Sequence, residues 1–296
     1  MSTRGIYIAL GAIIAGITSY YLLSKDMLKD IYSLWKLSGL KGIGPAFALY
    51  FFTYPLRAER WRLLLPRRVN RDEMLKIVAF HTALANILPA KLGELAFPAL
   101  LKKKGIKVLI SGSLLLLGRG MDAVCILSLL LLTFSPLAGL SLIAFEFGFA
   151  FFGFKAIDRI FKGILTIPRL KEVYSRGWER FTREELIKAF GITYAVWIIK
   201  GAGIASLLTA SGKMEFIEAF KGSIGAECSF LIPISGFLGL GNYEAGWVIA
   251  SGTSIKEGFF AHSFLLISSA LIALICSLTS LKTSSTDIED MQGRTP

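Results

Sequence analysis

Cysteine and histidine are scarce in this chain of 296 residues, with three and two copies. Cys125, Cys228 and Cys276 lie far apart, each inside an apolar run. That excludes a disulfide framework or a metal-ligand spacing and leaves them as buried thiols. His81 and His262 are equally isolated, so they suggest no zinc or heme constellation. Nucleotide-binding motifs and nucleic-acid-reading modules are missing as well. Ser111-Gly112-Ser113 and Ser251-Gly252 have no His or Asp in suitable context, which argues against a serine nucleophile. No metal and no cofactor are expected.

What the chain has in quantity is apolar length. Hydrophobic residues make up 54% of it and the mean hydropathy is +0.60. Several runs approach the roughly 20 residues needed to cross a bilayer, which marks an all-α integral membrane protein. About six spans are expected: Gly5 to Leu23, Gly42 to Leu56, Val108 to Phe134, Leu137 to Phe154, Ala189 to Ala210 and Phe259 to Leu281. The first lacks a clear small-x-small cleavage site and is followed by more spans, so it reads as an uncleaved helix rather than a signal peptide. Ser24 to Leu40 carries Met27, Leu28, Ile31, Leu34 and Trp35 at helical spacing, an amphipathic helix suited to the interface. Residues 282–296 are polar and read as a disordered cytoplasmic tail. The 33 Lys and Arg against 21 Asp and Glu fall mainly in loops, above all Arg57 to Lys76 and 155–188. Membrane topology and anionic lipid head groups account for that pattern better than nucleic acid does.

Two apolar stretches cannot be ordinary spanning helices. In His81 to Leu101, Pro89 removes an amide donor and disfavours helix at Leu88, and Gly93 loosens the chain one turn later. Asn86, Lys91 and Glu94 set polar groups beside that break. In Phe216 to Ala250, Pro233, Gly236, Gly239 and Gly241 break the run while Glu227, Asn242 and Glu244 polarise it. Open backbone at membrane depth is tolerated only where protein buries it or it lines a wet cavity. Each stretch reads as a re-entrant hairpin; a single kinked helix is the alternative for the first.

With the N-terminus inside and both hairpins re-entrant, 24 of the 33 Lys and Arg face the cytoplasm and seven face outward. Arg119 and Lys200 remain within spans. This satisfies the positive-inside rule with both termini cytoplasmic. The single domain, 1–281, then divides into repeats of about 5–134 and 137–281, each reading span, span, hairpin, span. An odd number of spans per unit inverts the second repeat, a design of secondary transporters.

The candidate site residues follow from charge at depth, which costs roughly 2.5–3.5 kcal/mol per group on insertion scales and is retained where it works. Arg119 and Asp122 share a helix face and can pair. Arg119 suits a phosphate or a carboxylate such as Glu94; Asp122 serves equally well as a buried register-fixing partner. Glu94 and Glu244 follow the two breaks and are candidates for pairing with Arg119 or Arg57, for proton exchange, or for capping half-helices. Asn86 and Asn242 are candidates for satisfying open backbone or for meeting ligand. Arg57 and Arg60, with Trp61 and Arg62, form a cluster at a span's cytoplasmic end that fits a lipid phosphate. Arg62, Arg67 and Arg68 equally fit a loop that only sets topology. Glu146 and Lys200 are single charges on apolar helices, expected to pair with each other.

Four motifs in order carry a family resemblance: Leu56-Arg57-x-x-Arg60-Trp61-x-x-Leu64-Leu65, Asn86-x-x-Pro89-x-x-x-Gly93-Glu94, Gly118-Arg119-x-x-Asp122, and Pro233 followed by Gly241-x-x-Glu244-Ala245. They resemble the flippase-like membrane domain that forms the transmembrane region of lysylphosphatidylglycerol synthases. The resemblance spans about residues 5 to 281. It implies translocation of an aminoacylated phospholipid, or of a polyprenyl phosphate or glycolipid, and does not imply the synthase reaction. The partners it implies are an anionic or phosphate-bearing lipid and, at the protein level, a lipid-modifying enzyme or glycosyltransferase. The family commonly has a further Arg after its Gly-Glu, where this chain has Leu95-Ala96-Phe97. A membrane enzyme acting on a lipid head group, with Glu94, Asp122 or Glu244 as base, is the rival reading, and a non-catalytic membrane partner of a glycosyltransferase is a third.

Overall fold

The structure, a computed structural model, describes residues 25–66, 69–152, 182–231 and 237–292. The expected first span, Arg67, Arg68, Pro233, Gly236 and most of the basic 155–188 segment lie outside these. Nine α-helices and no strand occur among the described residues. They are α1 (Lys25–Leu64), α2 (Arg71–Ile87), α3 (Ala96–Lys102), α4 (Val108–Phe134), α5 (Pro136–Phe152), α6 (Arg183–Ala210), α7 (Phe216–Glu227), α8 (Asn242–Ser251) and α9 (Ile255–Gln292). By length and composition α4, α6 and Ile255–Leu278 of α9 can cross a membrane, and α5 is a shorter apolar helix.

α1 is two helices joined at Gly39, whose φ of +52° and ψ of −169° suit a residue without a Cβ. The amphipathic segment expected up to Leu40 therefore ends one residue earlier. The segment after it does not stop at Leu56. It continues through Pro55 to Leu64, so Arg57, Arg60 and Arg62 stand on helix rather than in a loop. A proline within a helix removes one hydrogen bond without ending the helix where neighbouring packing holds it. The neighbour is α6, which runs antiparallel to α1. Glycines permit the approach: a Cβ on Gly203 would stand 3.3 Å from the Ala46 carbonyl oxygen, and Ser38 donates to Leu207 O at 3.2 Å.

α6 starts at Arg183, earlier than the expected Ala189. Thr182 sets the start with a reciprocal cap: the Glu185 amide donates to Thr182 Oγ1 at 3.1 Å, and the Thr182 amide donates to Glu185 Oε2 at 3.0 Å. α9 remains helical to Gln292, where disorder was expected from 282. No glycine or proline falls between Gly258 and Gly293 to end it.

The first broken stretch doubles back on itself. Leu88 is extended (φ −80°, ψ 135°), as a residue before proline prefers, and Pro89–Leu95 forms a 3-10 turn leading into α3. Gly93 lies against the backbone of Leu84 and Ala85, His81 packs on Phe97, and Lys104 pairs with Glu73. These contacts share a midpoint near Leu88 and Pro89, which is the pattern of an antiparallel hairpin. A single kinked helix would hold Leu84 and Gly93 about 13 Å apart at 1.5 Å per residue.

The second stretch folds back in the same general way. α7 packs on α8, with Gly225 and Gly246 at the crossing and Gly222 under the Trp247 ring. Between them Cys228–Leu231 and Phe237–Gly239 are 3-10 turns. Leu238, Gly239 and Gly241 there all have positive φ. The turn at Phe237–Gly239 touches both α2 and the Pro89–Leu95 turn, so the two breaks meet.

Candidate functional site

A cavity opens where the breaks meet, lined from seven helices and all three 3-10 turns. It offers about 170 Å³ for the centres of water-sized molecules. At roughly 10–15 Å³ for one such centre, that space holds several waters or a phosphate-sized group. The charged groups reach it because each long helix carries one polar turn. Arg57 and Arg60 on α1, Arg119 and Asp122 on α4, and Trp197 and Lys200 on α6 stand three residues apart, on one face.

Arg60 and Asp122 form the deepest pair. Arg60 Nη1 lies 2.5 Å from Asp122 Oδ1, with the two side chains 4% and 3% exposed. Arg60 also donates to Thr193 Oγ1 at 3.2 Å, and Trp197 Nε1 donates to Asp122 Oδ1 at 3.0 Å. Arg60, expected in an interfacial cluster that fits a lipid phosphate, is buried instead and its charge is committed to Asp122. Asp122 meets Arg119 only at 3.5 Å. Arg119 reaches instead to Glu94, with Nε donating to Oε2 at 3.2 Å and Nη2 to Oε1.

Lys200 pairs with Glu227 of α7 at 2.5 Å and not with Glu146. Glu146 accepts from the Tyr194 hydroxyl, away from the cavity. Both charges look alike on their helices, and only the packing of α7 on α6 decides the partner. Glu244 meets neither Arg57 nor Arg119. Its Oε2 accepts from the Gly241 amide at 2.7 Å, capping α8, and its Oε1 lies 2.6 Å from His262 Nδ1. Asn86 Nδ2 donates to Ser269 Oγ at 3.2 Å, holding α2 to α9. Asn242 opens α8 and lines the cavity. Arg62 donates to Val69 O and pairs with Glu59, a structural part outside the cavity.

Arg57 differs from the other cations. No carboxylate lies within ion-pair distance of it among the described residues, and its Nε and Nη2, like the Nε of Arg60, are buried without a hydrogen-bond partner. Its guanidinium sits over Trp197, 5.6 Å from the ring centroid.

Sequence reasoning missed both histidines. His81 Nε2 stands 3.6 Å from Glu94 Oε2, and His262 lines the cavity beside Glu244. Each lies more than ten residues from its carboxylate, across a break or a loop, so no spacing rule could join them. Cys125 and Cys276 are buried, whereas Cys228, expected to be buried, is half-buried. Among the described residues no cluster of His, Cys, Asp and Glu could hold a metal ion.

Nothing matches the chain among curated proteins or among solved structures. Residues 8–214, more than two thirds of the chain, match the family described as lysylphosphatidylglycerol synthase TM region. The matched segment contains Arg57, Arg60, the whole first hairpin, Arg119, Asp122 and Lys200. With its apolar spanning helices and that match, this membrane protein belongs to the family of the lysylphosphatidylglycerol synthase transmembrane region.

Proposed function

We propose that the protein moves a phosphate-bearing lipid between membrane leaflets, with the head group in the cavity and the acyl chains left in the bilayer. It acts as a transporter rather than an enzyme. Both broken stretches serve as re-entrant hairpins of two inverted repeats, in a cell membrane with N- and C-termini cytoplasmic. Phospholipid, aminoacyl-phospholipid and polyprenyl-phosphate or glycolipid substrates all carry the required group. A lipid-modifying enzyme or glycosyltransferase would supply or use the lipid.

The observation that carries this reading is Arg57. Its neighbours Arg60, Arg119 and Lys200 each have a carboxylate, whereas two of its buried nitrogens have no partner. A buried, unsatisfied guanidinium is costly and forms strong forked hydrogen bonds with phosphate oxygens. In this reading Arg57 binds the phosphate. Arg119 and Glu94 hold one wall of the cavity, and the polar surface admits a head group that lipid tails cannot accompany.

The test is reconstitution in vesicles carrying fluorescent phosphatidylglycerol or a labelled polyprenyl phosphate, read by accessibility of the head group to an external quencher. Wild type should transfer at least one of them. Arg57→Ala should slow transfer by about 10- to 100-fold, the worth of one or two charge-assisted hydrogen bonds. Folded wild-type protein that moves no phosphate-bearing lipid, or Arg57→Ala at the wild-type rate, overturns the reading.

A further inference from the structure

The chain has two histidines, and each stands beside the glutamate that follows a break. Their surroundings differ. Glu94 is held by the Arg119 guanidinium, and His81 approaches it only to 3.6 Å. Glu244 is 0% exposed, and no Lys or Arg lies within ion-pair distance of it among the described residues. Only the Gly241 amide, at the N-terminus of α8, and the His262 ring compensate its charge. A carboxylate in that bond accepts, so Nδ1 carries the hydrogen and Nε2 is left with the lone pair. The Nε2 edge faces Gly239, where even an added Cβ would be 3.6 Å away, and His262 lines the cavity. Tyr243 stacks on the ring at 4.5 Å and fixes its plane.

The charges around the cavity supply the second argument. The helices packed on α9 bring Tyr50, Arg57 and Arg60 from α1, His81 from α2, Lys200 from α6, Glu227 from α7, and Tyr243 and Glu244 from α8. With Glu94, Arg119 and Asp122 added, four cations face four carboxylates, so the empty site is neutral when both histidines are. A phosphodiester on Arg57 leaves it one negative charge in excess, which a low-dielectric site disfavours.

We propose that His262 is the proton site of the cavity and that one proton enters on Nε2 with each phosphodiester lipid and leaves with it. This rests on the translocation reading above. The proton comes from water on the loading side: an O–H bond of hydronium breaks as the Nε2–H bond forms, and release reverses both. The imidazolium, bonded to Glu244, restores neutrality.

Two experiments test it. In vesicles of phosphatidylcholine with fluorescent phosphatidylglycerol and trapped pyranine, transfer should be accompanied by proton movement. A gradient of about one pH unit should bias the lipid distribution by up to about tenfold. His262→Gln should lose both effects. Transfer without proton movement, or proton movement unchanged in His262→Gln, overturns the proposal. The second experiment needs no transport and leaves His262 in place. In detergent-solubilised wild type carrying ¹³C-histidine, with His81→Gln used for assignment, the His262 ring signal should move from its neutral to its cationic limit. Short-chain phosphatidylglycerol should shift that change to higher pH. A signal indifferent to pH or to the lipid overturns the proton site. If wild type transfers no lipid, the translocation reading falls with the coupling, and the titration still decides whether His262 takes up a proton.

Discussion

The two broken stretches use the same parts to different ends. Each has helix, a break containing glycine, a glutamate just after it, and a second helix folded back. In the first, the break is a right-handed 3-10 turn with no positive φ, and Gly93 is pressed against backbone. Its Glu94 is 22% exposed at the side chain and reaches across to Arg119 on α4. In the second, the break runs through left-handed conformations at Leu238, Gly239 and Gly241, and the helices meet through small side chains. Its Glu244 is fully buried and serves its own helix and a histidine. A glutamate after a break is thus a cross-bundle counter-ion in one case and a local cap in the other. Similarity of sequence pattern did not carry similarity of chemistry.

Substitutions can break this comparison in order of effect. Gly93→Ala should be the most damaging, at about 3 kcal/mol or more, because its Cβ would stand on the Leu84 carbonyl and only backbone movement could relieve it. Loss of monodisperse protein, or a much lowered thermal midpoint in detergent, is the readout. Glu244→Ala should follow at about 2–3 kcal/mol, since it removes a cap and strands the Gly241 amide and His262. Glu94→Ala should cost about 1 kcal/mol, because Arg119 is partly exposed and keeps Asp122 within 3.5 Å. Equal losses at the two glutamates would erase the distinction drawn here.

Gly225→Ala should cost about 2 kcal/mol, through a clash with the Ala250 methyl group. Ala250→Gly added to it should recover most of the loss, a rescue that no side-chain change can offer at Gly93. Leu238→Gly is expected to act in the opposite direction. Leu238 sits at φ +60° and ψ 15°, so glycine there should raise stability by about 1 kcal/mol, visible as a higher thermal midpoint.

The breaks were legible because they violate local rules. Pro89, Gly93 and Gly241 each disfavour continuous helix, and Leu88 adopts the extended form that a following proline favours. Arg119 and Asp122 were legible as one helix face. What was not legible is long-range. Arg60 and Asp122 are 62 positions apart and Lys200 and Glu227 are 27 apart, so their pairing depends on how helices pack. The span expected to close at Leu56 continues to Leu64, carried by tertiary contacts with α6. Tail polarity suggested disorder, yet nothing in 282–292 breaks the helix.

The Arg60–Asp122 knot also bears on how the chain is made. Synthesis runs from the N-terminus, so when Asp122 enters the bilayer, Arg60 and Glu94 have already been translated as partners for Asp122 and Arg119. The ion pairs of the first half are therefore complete once α4 emerges. Lys200 is placed in α6 before its carboxylate exists, and it waits for Glu227. A nascent chain halted after Phe134 carries no ion of this cavity without its mate except Arg57, whereas one halted after Ala210 holds a stranded ammonium inside the membrane. Quality-control machinery that detects charge at depth meets one more unpaired cation in the second than in the first.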